Sequence, residues 1–217
     1  MISRREFSWK TLGAASAIGM LGPGTRSLAQ SSIPPDKMLN AAVIGAGGIA
    51  RFHSEHQFKP FFEIKAVCDV DLSRAESLNR DFAGNQATVS QDYLELLRRD
   101  DIDVVFVCTP DHWHTKITVD ALRSGKDVYC EKPLTLTIDE GRLIRQVLGE
   151  TDRILQVGTQ QRSDPNFQTA VALVRSGRVG KVRRITAAIG GGPIGGPFTP
   201  TAQPPYLEWH RWLGQAP

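Results

Sequence analysis

Lys132 stands between Glu131 and Pro133, directly after the apolar run at 127–130. Proline restricts the residue before it to extended backbone, so this lysine has a fixed direction. A surface lysine is ordinarily a solvated charge, whereas one held at a strand end beside a crevice is placed to bind or polarise a hydroxyl or carbonyl oxygen. A second loop of the same kind, Cys108-Thr109-Pro110-Asp111-His112-Trp113-His114, follows the apolar run at 104–108. Its two histidines raise the question of a metal, but no third ligand follows at suitable spacing. Paired histidines also line pockets or orient a neighbour, so no metal is expected.

The third chemical stretch is Asn-Ala-Ala-Val-Ile-Gly-Ala-Gly-Gly-Ile-Ala at 40–50, an apolar run that turns at once into a glycine loop and a segment of helical character. Gly45 can take the angles of the turn, Gly47 has no side chain to hold a pyrophosphate away, and Ala50 lets the new helix pack on its strand. The helix start then offers free N–H groups and a partial positive charge to phosphates. Asp69 closes the next apolar run, near the spacing of about 20 residues at which a carboxylate accepts hydrogen bonds from dinucleotide ribose hydroxyls. A carboxylate there repels a 2′-phosphate, which makes NAD the expected cofactor. NADP stays possible because Arg74 could meet such a phosphate, and Asp71 could be a helix cap instead. An ordinary strand-to-helix turn would also use these glycines.

Chemistry of this kind needs elements that bring the loops together. Short apolar runs at 40–44, 64–68, 104–108, 127–130 and 154–157, with a weaker one at 88–89, alternate with helical patterns. That alternation is the signature of an α/β fold, a parallel sheet covered by helices. In open parallel sheets ligands bind beyond the carboxyl ends of the strands, so the glycine turn and both loops should face one crevice. Thr137 with Glu140 forms a capping box, Asp164 caps a helix whose first residue is Pro165, and Ser90 is placed to cap residues 91–98. Arg123-Ser124-Gly125 and Arg175-Ser176-Gly177 read as helix stops.

The chain has 217 residues, with 26 basic against 23 acidic. At its start Ser3-Arg4-Arg5-Glu6-Phe7 precedes a mildly apolar stretch, 11–21, that is too short and too rich in glycine and alanine to span a bilayer. Ser27-Leu28-Ala29 supplies the small residues a signal peptidase reads, so residues 1–29 resemble a twin-arginine export signal. Ser8 and Trp9 depart from that pattern, with Lys10 one place late, and a basic N-terminus of a cytoplasmic protein is the alternative. Without residues 1–29 the basic and acidic residues are equal in number. Nothing then argues for nucleic acid or an anionic membrane as partner. Cys68, Cys108 and Cys130 lie within or at the ends of apolar runs and read as buried thiols, with no metal spacing and no disulfide framework.

The glycine turn at 45–50, Val-Cys-Asp at 67–69, Thr-Pro-Asp-His-Trp-His at 109–114, Gly-Lys-Asp-Val-Tyr-Cys-Glu-Lys-Pro at 125–133 and Gln-Val-Gly-Thr-Gln-Gln-Arg-Ser at 156–163 together resemble the Gfo/Idh/MocA family of oxidoreductases, in particular its exported branch. The resemblance implies a Rossmann-type doubly wound sheet, a nicotinamide cofactor, hydride transfer at a carbon of a sugar or cyclitol, and Lys132 on the reacting oxygen. Its motifs make Gly45, Gly47, Gly48, Ile49, Asp69, Thr109, Pro110, His112, His114, Glu131, Lys132 and Gln160 the candidate cofactor contacts. It also implies an α+β second domain that supplies an acid–base pair. By this reading residues 1–29 are a signal, 30–37 a linker, 38–157 the dinucleotide-binding domain, and 158–217 the incomplete start of the second domain. That start holds one strand-like run, 182–189, a Gly/Pro-rich stretch, and a tryptophan-rich segment, 206–214, whose Glu208 and His210 could replace the missing pair but fit a plain aromatic anchor better. The expectation is a truncated member that keeps cofactor binding and self-associates through an uncovered apolar face. A glycosidase on the same scaffold, acting by transient oxidation and elimination, and a non-catalytic dinucleotide-binding module are the alternatives.

Overall fold

The computed structural model describes residues 38–192 and 195–216. The signal and linker expected at 1–37 lie outside the described residues. Six parallel strands form one sheet: β1 (Leu39–Ile44), β2 (Phe62–Cys68), β3 (Thr88–Ser90), β4 (Val104–Val107), β5 (Asp127–Glu131) and β6 (Leu155–Gly158), in the order β3-β2-β1-β4-β5-β6. Helices α1 (Gly48–His56), α2 (Leu72–Ala83), α3 (Tyr93–Leu97), α4 (Asp111–Arg123) and α5 (Ile138–Glu150) connect successive strands. A short 3₁₀ turn (Gln160–Ser163) and helices α6 (Pro165–Arg175) and α7 (Trp209–Leu213) follow the sheet. This is the Rossmann-type doubly wound order, with its switch point between β1 and β4.

The continuous apolar runs form strands because both faces of a parallel sheet are buried. Along β1, Ala41 and Val43 pack with Phe58, Val67, Leu78 and Phe106 on one face. Ala42 and Ile44 pack with Val105, Ile117, Leu122 and Ile144 on the other. The alternation follows from the two-residue period of a strand, and it places a core on each side of one sheet. Cys68, Cys108 and Cys130 are free and buried within these cores. Burial pushes the Cys68 and Cys130 thiols up to about 12, so neither forms the reactive thiolate at neutral pH.

The capping box of Thr137 and Glu140, the Asp164 cap before Pro165, and the left-handed Gly125 and Gly177 after their helices all form as the sequence indicates. Two expectations need correcting. Asp92, not Ser90, caps the third helix, accepting from the Leu94 N–H. Ser90 is still the last residue of β3, paired with Cys68, so the helix starts two residues later, and the Ser90 hydroxyl binds the Asp92 backbone and the Glu95 carboxylate. Residues 182–189 form no strand; Ile185 and Ile189 are 85% and 96% exposed. A strand needs a partner for its backbone groups, and the six-stranded sheet offers this segment none. Among the described residues, no helix is long and apolar enough to cross a membrane.

Candidate functional site

The loops after β1, β2 and β4 meet at Gly45. Its φ is +88°, and a Cβ there would lie 2.6 Å from the carbonyl carbon and oxygen of Cys108, so any side chain would collide with backbone. Its N–H donates to the Cys68 carbonyl at 2.8 Å, which ties the turn to the end of β2. Gly47 precedes α1 and, like Gly48, has open space where a Cβ would go. Ala50 is fully buried against the sheet. Ile49, beside them, is partly buried and packs on the same core. The first turn of α1 therefore presents bare backbone to the crevice, the arrangement a pyrophosphate requires.

Asp69 is built into this turn. Its Oδ2 accepts the Ala46 N–H at 2.7 Å and its Oδ1 the Asp71 N–H at 2.9 Å. Burial lifts its carboxyl above the ordinary value, although those two N–H bonds pull the other way. Each oxygen keeps a lone pair free, so hydroxyl donors from a ribose would complete its hydrogen bonding. Asp71 fills the other role the sequence left open: it caps α2 by accepting the Ser73 N–H at 3.0 Å. Arg74, the residue that could meet a 2′-phosphate, is paired with Asp71 at 3.3 Å.

A cavity of about 720 Å³ opens between these loops, with Gly45, Gly47, Asp69 and Arg74 on one side and Thr109, Pro110 and Trp113 on the other. That size suits a small-molecule or cofactor site. The loops after β4 and β5 are stapled by His114, which is buried; its Nδ1 lies 2.6 Å from the Pro133 carbonyl and its Nε2 2.8 Å from the Thr109 carbonyl. His112 meets the carbonyl of Trp212 through Nε2 at 2.9 Å. His112 and His114 thus bind backbone rather than a common point. Among the described residues, no group of three or more His, Cys, Asp or Glu is placed to hold a metal ion.

Lys132 is exposed at the carboxyl end of β5, beyond the lining of the cavity, and its backbone N–H donates to Glu131 Oε2 at 3.2 Å. Gln160 begins the 3₁₀ turn after β6, partly buried. Glu131 itself turns inward: it is 4% exposed and accepts from His53 Nε2 at 2.7 Å and from the Tyr129 hydroxyl at 3.3 Å. Burial pushes the Glu131 carboxyl up, but the hydrogen bond and charge of His53, with the donors from Lys132 and Tyr129, outweigh it and hold the group below the ordinary glutamate value.

His53, Tyr129 and Gly158 were not apparent as site residues from the sequence. His53 is fully buried on α1, with Nδ1 2.7 Å from the Gln57 side-chain amide, so the pair joins the phosphate-side helix to the lysine-bearing strand end. Gly158 leaves room for the carboxylate, since a Cβ there would lie 2.6 Å from Glu131 Oε1 and 2.9 Å from the Tyr129 oxygen. One signal for His53 was available: it follows Ala50 by three positions, on the face of α1 that packs against the sheet.

The profile of an oxidoreductase family with an NAD-binding Rossmann fold matches residues 39–159. The scyllo-inositol 2-dehydrogenase (NAD(+)) of Bacillus subtilis is 31% identical over 148 residues, which cover 67% of this chain and 43% of that protein. Inositol 2-dehydrogenase of Rubrobacter xylanophilus is 33% identical over 141 residues, 64% of this chain and 40% of the relative. The chain therefore spans less than half the length of these relatives. Among solved structures, myo-inositol 2-dehydrogenase from Lactobacillus plantarum superposes with a TM-score of 0.62 at 28% identity, covering 67% of this chain and 43% of that one. A 3-ketoreductase from Actinomadura kijaniata, in complex with TDP-benzene and NADP, superposes at 0.59 with 28% identity, covering 65% and 44%.

Proposed function

Because the chain belongs to the Gfo/Idh/MocA family of oxidoreductases with an NAD-binding Rossmann fold, we propose that it is the cofactor-binding portion of an enzyme that transfers hydride between a nicotinamide and a hydroxyl-bearing carbon of a sugar or cyclitol. The observation that carries this reading is the crevice at the switch point, lined by bare glycine backbone and a half-buried carboxylate, with Lys132 beyond its lining at the carboxyl end of β5 in the same sheet. The direction a side chain would take from Gly47 and Gly48 is empty, and Asp69 keeps acceptor capacity toward the cavity, so the residues present fit a dinucleotide. NAD, when bound, supplies the hydride acceptor.

In this reading the backbone of Gly47 and Gly48 receives the pyrophosphate and Asp69 receives the adenosine ribose hydroxyls. Thr109 and Pro110 form the opposite wall. Lys132 holds the reacting oxygen and favours its deprotonated form. The inositol dehydrogenases among the similar proteins support a polyhydroxylated substrate of small size.

Calorimetric titration with both cofactors tests the assignment. NAD is expected to bind more tightly than NADP, and Asp69→Ala to weaken NAD by about 1–3 kcal/mol as hydrogen bonds to a charged acceptor are lost. Equal or reversed affinity in the unaltered protein would remove Asp69 from the ribose.

We also propose export of the folded protein through the twin-arginine pathway, on the strength of Arg4-Arg5 and Ser27-Leu28-Ala29. N-terminal sequencing of periplasmic protein is expected to begin at Gln30, and a chain confined to the cytoplasm with Met1 retained would refute it.

A further inference from the structure

We propose that residues 204–214 form a strap that roofs the adenosine end of the dinucleotide crevice, so that bound cofactor leaves only when the strap lifts. The inference rests on the cofactor occupying this crevice. The segment is stitched to both rims. On the β2 side, Leu207 forms an antiparallel bridge with Asp71, and the Glu208 N–H donates to the Val70 carbonyl at 3.0 Å. At the start of α3, Arg211 pairs with the Asp92 carboxylate at 3.1 Å and reaches the Gln91 carbonyl at 3.4 Å. On the β4 side, the Trp212 carbonyl meets His112 Nε2 at 2.9 Å and accepts from Trp113 Nε1 at 3.1 Å.

These anchors bracket Asp69, the residue that marks the ribose. Between them Tyr206, Leu207, Arg211 and Trp212 line the same cavity as Asp69, Val70 and Pro110, and supply a largely apolar second wall of the kind a purine base stacks against. The far end is closed by shape. Gly214 has φ +56°, and a Cβ there would lie 2.4 Å from Cζ2 of Trp113, so the indole seats on a position only glycine can fill. An open Rossmann crevice lets its adenosine out sideways; here that exit is crossed by a segment held at three places.

Two variants of the full chain loosen the strap without touching the phosphate or ribose contacts. Glu208→Pro fits the local backbone, since Glu208 has φ −76° and follows an extended residue, but it deletes the N–H that reaches Val70. Gly214→Val drives the strap off Trp113. Dissociation of NADH is read by stopped-flow fluorescence after a chase with excess NAD, with circular dichroism confirming that each variant is folded. Both variants are expected to release NADH about tenfold faster, because changes of this kind act mainly on the off-rate. Hydrogen exchange at the Glu208 amide of the unaltered chain is expected to slow when NADH is added, a readout independent of either variant. If the unaltered chain binds no NADH, the cofactor assignment falls and the strap with it. If NADH binds but neither variant changes its release and the Glu208 amide is indifferent to it, the strap alone is overturned.

Discussion

Replacing His53 with leucine is expected to cost about 2–4 kcal/mol of folding stability, because a buried carboxylate then loses its shortest side-chain hydrogen bond. His53 is fully buried and Glu131 nearly so, and their 2.7 Å contact supplies the shortest side-chain hydrogen bond to that carboxylate among the described residues. Leucine leaves the carboxylate with the Tyr129 hydroxyl and the Lys132 N–H alone. Against a total stability of about 5–15 kcal/mol for an ordinary domain, a loss of that size is readable by urea denaturation. Adding Glu131→Gln to the His53→Leu background should recover part of it, because the amide removes the buried charge, can accept the Lys132 N–H through its oxygen, and can donate its NH2 to the Tyr129 hydroxyl.

The pH dependence has a definite sign. The folded Glu131 carboxyl lies below its ordinary value, so its contribution is fully present above the ordinary glutamate range, about 4.3, and is lost as pH falls through the lowered folded value. The gap between the unaltered protein and His53→Leu should therefore narrow on acidification below about pH 4. A gap that is constant down to acid unfolding would mean that His53 does not stabilise the Glu131 carboxylate.

The strands were legible because a parallel sheet buried on both faces demands continuous apolar runs, and the runs at 40–44 and 104–108 end within a residue of β1 and β4. Asp69 and Asp71 could not be separated by sequence, since both types serve as caps and as acceptors. The fold separates them by geometry, aiming one carboxylate at the Ala46 N–H and the other at Ser73. The His53–Glu131 pair was hidden for a different reason: its partners are 78 positions apart, and a lone histidine on a helix gives no sign of what it will meet. The run at 182–189 misled because its β-branched residues, Val182, Ile185, Thr186 and Ile189, state a preference for a strand without supplying its neighbour. The tryptophan-rich segment could be read as an aromatic anchor, but its docking places, Val70 after β2, Asp92 at the start of α3 and Trp113 in the first turn of α4, belong to three separate connections that only the sheet brings together.

Within the proposed hydride transfer, Lys132→Ala is expected to lower kcat by about 10²–10⁴-fold in the protein that carries this chain, assayed with NAD and a panel of sugars and cyclitols. The lysine backbone is fixed on both sides, by its own N–H on Glu131 and by His114 on the carbonyl of Pro133, while its side chain is exposed at the strand end. A pinned backbone with an exposed ammonium is the arrangement for placing one positive charge against an oxygen that becomes negative as its hydroxyl proton departs. That charge is worth most where it develops, in the transition state, so its loss should appear in kcat more than in KM. Lys132→Arg keeps the charge but exchanges a compact ammonium for a longer planar fork, and it should recover only part of the rate. If Lys132→Ala retained kcat within about twofold, the oxygen would have to be held by another group, and the lysine would return to being a solvated charge at the rim of the crevice.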